Sequence, residues 1–236
     1  MKLSIIMPIR NEKENIVQTL NILKDELKQI DYELVIINDF STDNSLELVE
    51  SQKKNYPQVS LFNNETKGLG GAIALGIKKS RGDLICIMMS DLSDNINDLQ
   101  KYYKLIQDEN VDAIFGSRFI SGSKINGYPK KKLILNRIFN FFTKLIFFSD
   151  YNDFTNAFKI YKKKAILETF PLVSESYNIF LEIPLKIISR KLKYKIIPIS
   201  WEDRKSGKSK FIIKELGSKY LFTLLYCWLE KILLKK

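Results

Sequence analysis

There is no histidine among the 236 residues of this chain. Ser-His and Cys-His nucleophile pairs and histidine-ligated zinc are therefore excluded, and either any general base is a carboxylate or the reaction needs none. The two cysteines, Cys86 and Cys227, lie far apart in separate apolar runs, a pattern that gives no disulfide framework and fits a reducing compartment. No apolar run reaches the ~20 residues of a membrane-crossing helix. The longest near the C-terminus covers residues 220–229, so a membrane contact is expected to lie along the surface. The apolar stretch before Arg10 is too short for a secretory leader, and the chain is expected to open in its first strand. Internal repeats and low-complexity linkers are also missing.

What is present describes one folded core with an appendage. Hydrophobic residues make up 45% of the chain and charged residues 28%, ordinary values for a globular protein. The formal charge of +11 favours anionic partners: phosphorylated ligands, nucleic acid or acidic lipid. Nucleic acid is the weakest of the three, because the cations are not interleaved with a recognisable reader motif.

Short β-branched runs alternate with helical segments. Strands are expected over residues 3–9, 33–38, 59–63, 84–89 and 112–117. Helices are expected over 11–29, opened by a capping-box spacing of Asn11 and Glu14, and over 46–54 and 70–80. Further helices are expected over 130–148 and 177–189, a late strand over 194–201, then a basic loop and a last helix. This alternation predicts an α/β fold with a mainly parallel central sheet and helices on both faces. Ligands bind such sheets outside the carboxyl ends of the strands, which joins the loops at residues 8–12, 38–43 and 90–94 into one site.

Acids recur at those strand ends. Asp39 is placed to accept from a ribose or base edge, although with Ser41, Thr42 and Asp43 it also suits capping of the next helix. Asp91 and Asp94 close the run DLICIMMSDLSD and offer hard oxygen ligands to a divalent cation, with Met89 standing where a second carboxylate would complete an Asp-x-Asp pair. Lys67 and Gly68 open KGLGGAIALG, whose small residues at a helix start can receive phosphate on backbone N–H groups or pack closely on the sheet.

Taken in order, PIRNEKENI, NDFSTDNS, ETKGLGGAIALGIKKSRGD, MMSDLSD, GSRF, NDFTNAFKIY and RKSGKSKF resemble family 2 glycosyltransferases of the GT-A fold, Rossmann-like in its sheet, most closely the dolichyl-phosphate mannosyltransferase group. The resemblance implies a nucleoside-diphosphate sugar donor, Mg²⁺ or Mn²⁺, and inverting transfer onto a polyprenyl phosphate. It places Pro8, Arg10, Glu12, Asp39, Lys67, Gly68, Asp91 and Lys210 on the donor, with metal ligands Asp91 and Asp94. It assigns Arg118, Arg137, Asp153, Thr155, Glu182 and Arg204 to the acceptor, with Asp91, Arg118 and Arg204 closest to the chemistry. Arg10 stands where the family often has an aromatic, and Asn156, Ala157 and Lys159 depart from its Asp-x-Thr-Ser-Gly-Phe-Arg pattern.

The missing histidine fits this resemblance, because a phosphate acceptor is already anionic and needs no base. A sugar hydroxyl of a surface polysaccharide would need Asp153, Glu182 or Asp94 as base, and a catalytically weak nucleotide-binding scaffold is the third reading. Residues 1–211 are expected to form the transferase domain, with an interfacial acceptor-side region over 118–149, and 212–236 a membrane-associating amphipathic helix. Ile138, Phe141, Phe142 and Leu145 share one helical face, and Tyr220, Tyr226 and Trp228 suit a headgroup boundary beside Lys235 and Lys236. The expected location is the cytoplasmic face of the membrane, peripherally bound; a homo-oligomer is left open.

Overall fold

The β-branched run at the start of the chain is buried at every position, and it forms the central strand β1 (Leu3–Ile9). The computed structural model describes residues 1–203 and 213–234. After β1, strands β2 (Tyr32–Asn38), β3 (Val59–Asn63) and β4 (Leu84–Ile87) alternate with helices α1 (Ile16–Glu26), α2 (Ser45–Gln52) and α3 (Leu69–Lys79). Then come α4 (Ile96–Asp108), β5 (Ala113–Ser117), β6 (Lys124–Asn126), α5 (Lys130–Phe147), β7 (Lys159–Lys162) and α6 (Lys163–Glu168). The last elements are α7 (Ile179–Ser189), β8 (Tyr194–Pro198), β9 (Ser200–Glu202) and α8 (Ile213–Leu233).

The main sheet has the order β3-β2-β1-β4-β7-β5-β8, and β7 alone runs antiparallel to its neighbours. Successive side chains of a strand point to opposite faces, so β1 feeds both layers of the core. Leu3, Ile5 and Met7 share one core layer with α1, α2 and α4, while Ile6 shares the other with α3, α6, α7 and α8. The expected mainly parallel sheet with helices on both faces is the architecture found. β6 and β9 form a separate parallel pair that bridges to the loop after β4 through Asp94 and Trp201.

Two local expectations are corrected. Asn11 does not open a capping box: it sits at φ 53°, its Oδ1 accepts from the Thr42 N–H at 2.7 Å, and the helix begins later, at Ile16. The last helix is more than an appendage, since Tyr220, Thr223, Leu224 and Cys227 are buried in the core and Glu230 pairs with Arg190 at 2.5 Å. Tyr220 is accordingly not at a headgroup boundary; its hydroxyl donates to the Tyr177 carbonyl at 3.0 Å.

Candidate active site

The carboxyl ends of β1, β2 and β3 form one corner. Pro8 is buried beside Ile37, beyond the last β1–β4 pair at Ile6 and Ile87, where the missing N–H leaves that ladder intact. Arg10 is exposed, and Glu12 is nearly buried with its N–H donating to Ser45 Oγ at 2.7 Å. Asp39 is 4% exposed, and its Oδ1 accepts from Asn64 Nδ2 and from the Gly68 N–H, both at 2.8 Å. Asp39 is therefore a brace between β2 and the loop before α3, rather than a helix cap. Gly68 has φ 134°, open only to glycine, and Lys67 beside it is exposed. A Cβ on Gly70 would collide with the Ser174 carbonyl, so close packing accounts for this glycine.

The second corner follows β4. Asp91 accepts from Ser93 Oγ at 2.7 Å, and Leu92, at φ 58°, turns the chain so that Asp94 is also buried. Burial, and then the negative charge of Asp91, push the Asp94 carboxyl up to about 7, with Arg118 and Lys159 opposing the shift. Two buried acids that line one cleft and repel each other form a site that a divalent cation would relieve. Among the described residues no group of three or more Asp, Glu, Cys or His side chains gathers for a metal. Mg²⁺ commonly takes one or two carboxylates and completes its shell with substrate phosphates and water, so Asp91 with Asp94 fits such an ion bound together with a diphosphate.

The third corner is a cleft of about 640 Å³ lined by Met89, Asp91, Asp94 and Arg118 together with residues of α5, α7 and α8. Arg118 is a buried cation of this lining. Its Nε donates to Asp153 Oδ2 at 2.8 Å and its Nη2 to Oδ1 at 2.7 Å, a bidentate pair of 7% and fully buried side chains. The Phe119, Tyr128 and Trp201 rings lie 5.3, 5.4 and 5.7 Å from the guanidinium. Burial opposes the charge on Arg118, but Asp153 more than offsets it, so the guanidinium is held charged. Thr155 also lines the cleft and donates to Asn136 Oδ1 at 3.1 Å.

Some expected residues do not converge here. Glu182 is fully buried away from the cleft lining, accepts from the Val173 and Ser174 N–H groups at 2.9 and 2.8 Å, and pairs with Lys186 at 2.8 Å. Those bonds give it a structural task, contrary to its expected place on the acceptor. Arg137 is exposed on α5, with its guanidinium 4.8 Å from the Phe119 ring that Arg118 also meets. Arg204 and Lys210 lie outside the described residues.

Sequence reasoning missed the environment of Lys159. It is 1% exposed, bonds to the carbonyls of Phe154 and Asn156, and is brought down to about 7 by burial, with Asp153 and Asp94 opposing that shift and Arg118 adding to it. Nothing in the local run KIYK distinguishes it from a surface lysine. Trp201 and Tyr128, 5.0 Å apart, were also missed as walls of the site.

Helix α5 leaves Ile134, Leu135, Ile138, Phe141, Phe142 and Leu145 each at least 49% exposed, and α8 does the same with Leu221, Phe222 and Leu225. The face read from the helical spacing is thus an open apolar surface, while Phe139 turns inward against Tyr220. No helix among the described residues is long and apolar enough to cross a membrane.

Comparison with known proteins finds relatives by sequence and by fold. A dolichol-phosphate mannosyltransferase from Pyrococcus furiosus is 27% identical over 217 residues, covering 89% of this chain and 59% of the relative. An undecaprenyl-phosphate mannosyltransferase from Micrococcus luteus is 23% identical, covering 89% of this chain and 87% of its own length. The glycosyltransferase AglD of Haloferax volcanii is 21% identical, and the chain spans only 37% of it. The first two of these relatives in similarity are thus longer proteins, of which this chain spans less than two thirds. Glucosyl-3-phosphoglycerate synthase from Mycobacterium tuberculosis, solved with Mn²⁺, uridine diphosphate and glucosyl-3-phosphoglycerate, superposes with a TM-score of 0.72 at 13% identity, over 96% of this chain and 79% of its own. That likeness establishes the GT-A fold. Residues 4–170 match the sequence pattern described as Glycosyl transferase family 2, and the chain belongs to that family.

Proposed function

We propose that this glycosyltransferase moves a hexose from a nucleoside-diphosphate sugar to a polyprenyl phosphate, with inversion, at the cytoplasmic face of a membrane to which it binds peripherally. The observation that carries this reading is the cleft whose lining brings together the acid pair Asp91 and Asp94, Arg118 with the aromatic rings around it, and the apolar or aromatic side chains of Leu135, Phe139, Phe180 and Tyr220. An acceptor with an anionic head and a hydrocarbon tail matches both the cation and the apolar part of that lining. The relatives named for dolichol phosphate and undecaprenyl phosphate support the same class.

Each part of the site then has a task. Asp39, braced through Oδ1, keeps Oδ2 for the nucleoside, and Arg10, Glu12, Lys67 and Gly68 flank it. Asp91, with Asp94, would hold a divalent ion, which when bound would neutralise the donor diphosphate. Arg118 attracts the acceptor phosphate and Thr155 lines its path; the family resemblance also assigns Arg204 to the acceptor and Lys210 to the donor. The acceptor oxygen is already an anion near neutral pH and attacks the anomeric carbon as the nucleoside diphosphate leaves. The exposed faces of α5 and α8 rest on the lipid surface.

The test is incubation of the purified chain with Mg²⁺ or Mn²⁺, undecaprenyl phosphate and radiolabelled GDP-mannose, UDP-glucose or UDP-N-acetylglucosamine. Label entering the lipid phase from one donor supports the proposal, and no transfer from any of the three contradicts it. Transfer to a sugar hydroxyl is the second reading. It now rests on Asp94, which lines the cleft and titrates at about 7, because Asp153 is held by Arg118 and Glu182 is turned away.

A further inference from the structure

Phe40 is 46% exposed, immediately after the buried Asp39, in a backbone conformation of φ 56° that a bulky side chain rarely adopts. The loop around it is fixed on both sides. Asn38 Oδ1 accepts from the Ser41 N–H at 3.1 Å, Ser41 Oγ accepts from the Asn11 N–H at 3.1 Å, and Asn11 Oδ1 accepts from the Thr42 N–H at 2.7 Å. Asp39 is tied in turn to Asn64 and Gly68. A mobile loop would let the ring fold inward and relax the backbone; this one holds it out. Most other large exposed apolar side chains among the described residues lie on α5 and α8, whereas Phe40 lies in the loop between β2 and α2.

We propose that Phe40 is the stacking platform for the base of the nucleoside diphosphate. A flat apolar ring next to a buried carboxylate is the chemistry that recognises a heteroaromatic base, the ring meeting its face and Asp39 its N–H or ribose hydroxyl edge. The position suits it, because the loops after β1, β2 and β3 are hydrogen-bonded to one another around Phe40 and open at the carboxyl end of the sheet. Backbone strain concentrated at such a point is a mark of function. This assignment rests on the reading of these loops as the donor site.

The experiment compares the full-length chain with Phe40→Leu, Phe40→Ala and Phe40→Tyr by calorimetric titration of UDP, GDP and, as a ligand without a base, pyrophosphate, all in Mg²⁺. The better-bound nucleotide is expected to weaken at least about fivefold in Phe40→Leu and Phe40→Ala, while Phe40→Tyr stays close to the parent and pyrophosphate binding is unchanged throughout. A parent that binds UDP or GDP and a Phe40→Leu variant that binds it equally well would overturn the stacking role alone. Equal losses for nucleotide and pyrophosphate would also overturn it, since they report loop damage. A parent that binds neither nucleotide would overturn the donor reading and this assignment together.

Discussion

Arg118 grips Asp153 through two parallel hydrogen bonds of 2.8 and 2.7 Å, and the backbone N–H of Arg118 adds a third bond to the same carboxylate at 2.9 Å. Asp153 is thereby a partner that positions a cation, with both oxygens engaged. Arg118→Ala leaves a buried unpaired carboxylate, and it is expected to cost about 3–5 kcal/mol in denaturant unfolding. Adding Asp153→Ala should recover part of that loss. If the two single substitutions are instead additive, the pair is not coupled as its geometry requires.

Met89 lines the cleft beside Asp91 and Asp94 and supplies no hard oxygen ligand. Met89→Asp is expected to tighten Mn²⁺ binding roughly tenfold in the presence of UDP, because affinity at such sites follows the number of carboxylates. A large accompanying gain in turnover would show a degenerate site and favour the scaffold reading for the parent chain. Tighter metal with unchanged turnover favours an enzyme that works through Asp91 and Asp94.

The acid pair also makes a prediction about pH. The Asp94 carboxyl is raised from the ordinary aspartate value of 3.8 to about 7, first by burial and then by Asp91. Between those values the folded chain holds a proton that the unfolded chain has lost, so this group's stabilisation is full below the lower value and is lost as pH rises through about 7. Melting in a chelating buffer should show the decline over that window, and Asp94→Asn should flatten it. A parent profile indistinguishable from that of Asp94→Asn would contradict the assigned environment.

The apolar faces of α5 and α8 predict membrane association without a spanning helix. Phe141 is 57% and Leu225 52% exposed, so replacing both with Glu should leave the melting temperature nearly unchanged. Flotation with anionic vesicles should fall several-fold, because apolar contact is lost and negative charge is added against an acidic surface. Unchanged flotation would remove these helices from the account.

The parallel half of the fold was legible because β1, β2 and β4 are short buried runs rich in isoleucine and leucine and the helices between the strands have their own period. Antiparallel β7 was not, since its place between β4 and β5 is set by contacts distant in sequence. Helix α4 did carry a local signal that went unread: Ile96, Leu99, Tyr102 and Ile106 repeat at helical spacing after Asn95, whose Oδ1 accepts from the Asn97 N–H at 2.9 Å. In the site, the strand-end acids were found by their position. Which carboxylates were already engaged was invisible, because the partners of Asp153 and Glu182, Arg118 and the Val173–Ser174 backbone, are chosen by the tertiary fold. The same holds for Asn11, where Thr42 captured the side chain that its spacing assigned to a helix cap.

The central claim is that the acceptor brings its own negative charge to Arg118. The most direct test offers the purified enzyme its best donor with either undecaprenyl phosphate or undecaprenol, equal in chain and differing only in the phosphate, and measures initial rates of sugar transfer. Transfer to the phosphate with none detectable to the alcohol is the predicted result; comparable transfer to both, or transfer only to a soluble saccharide, would contradict it.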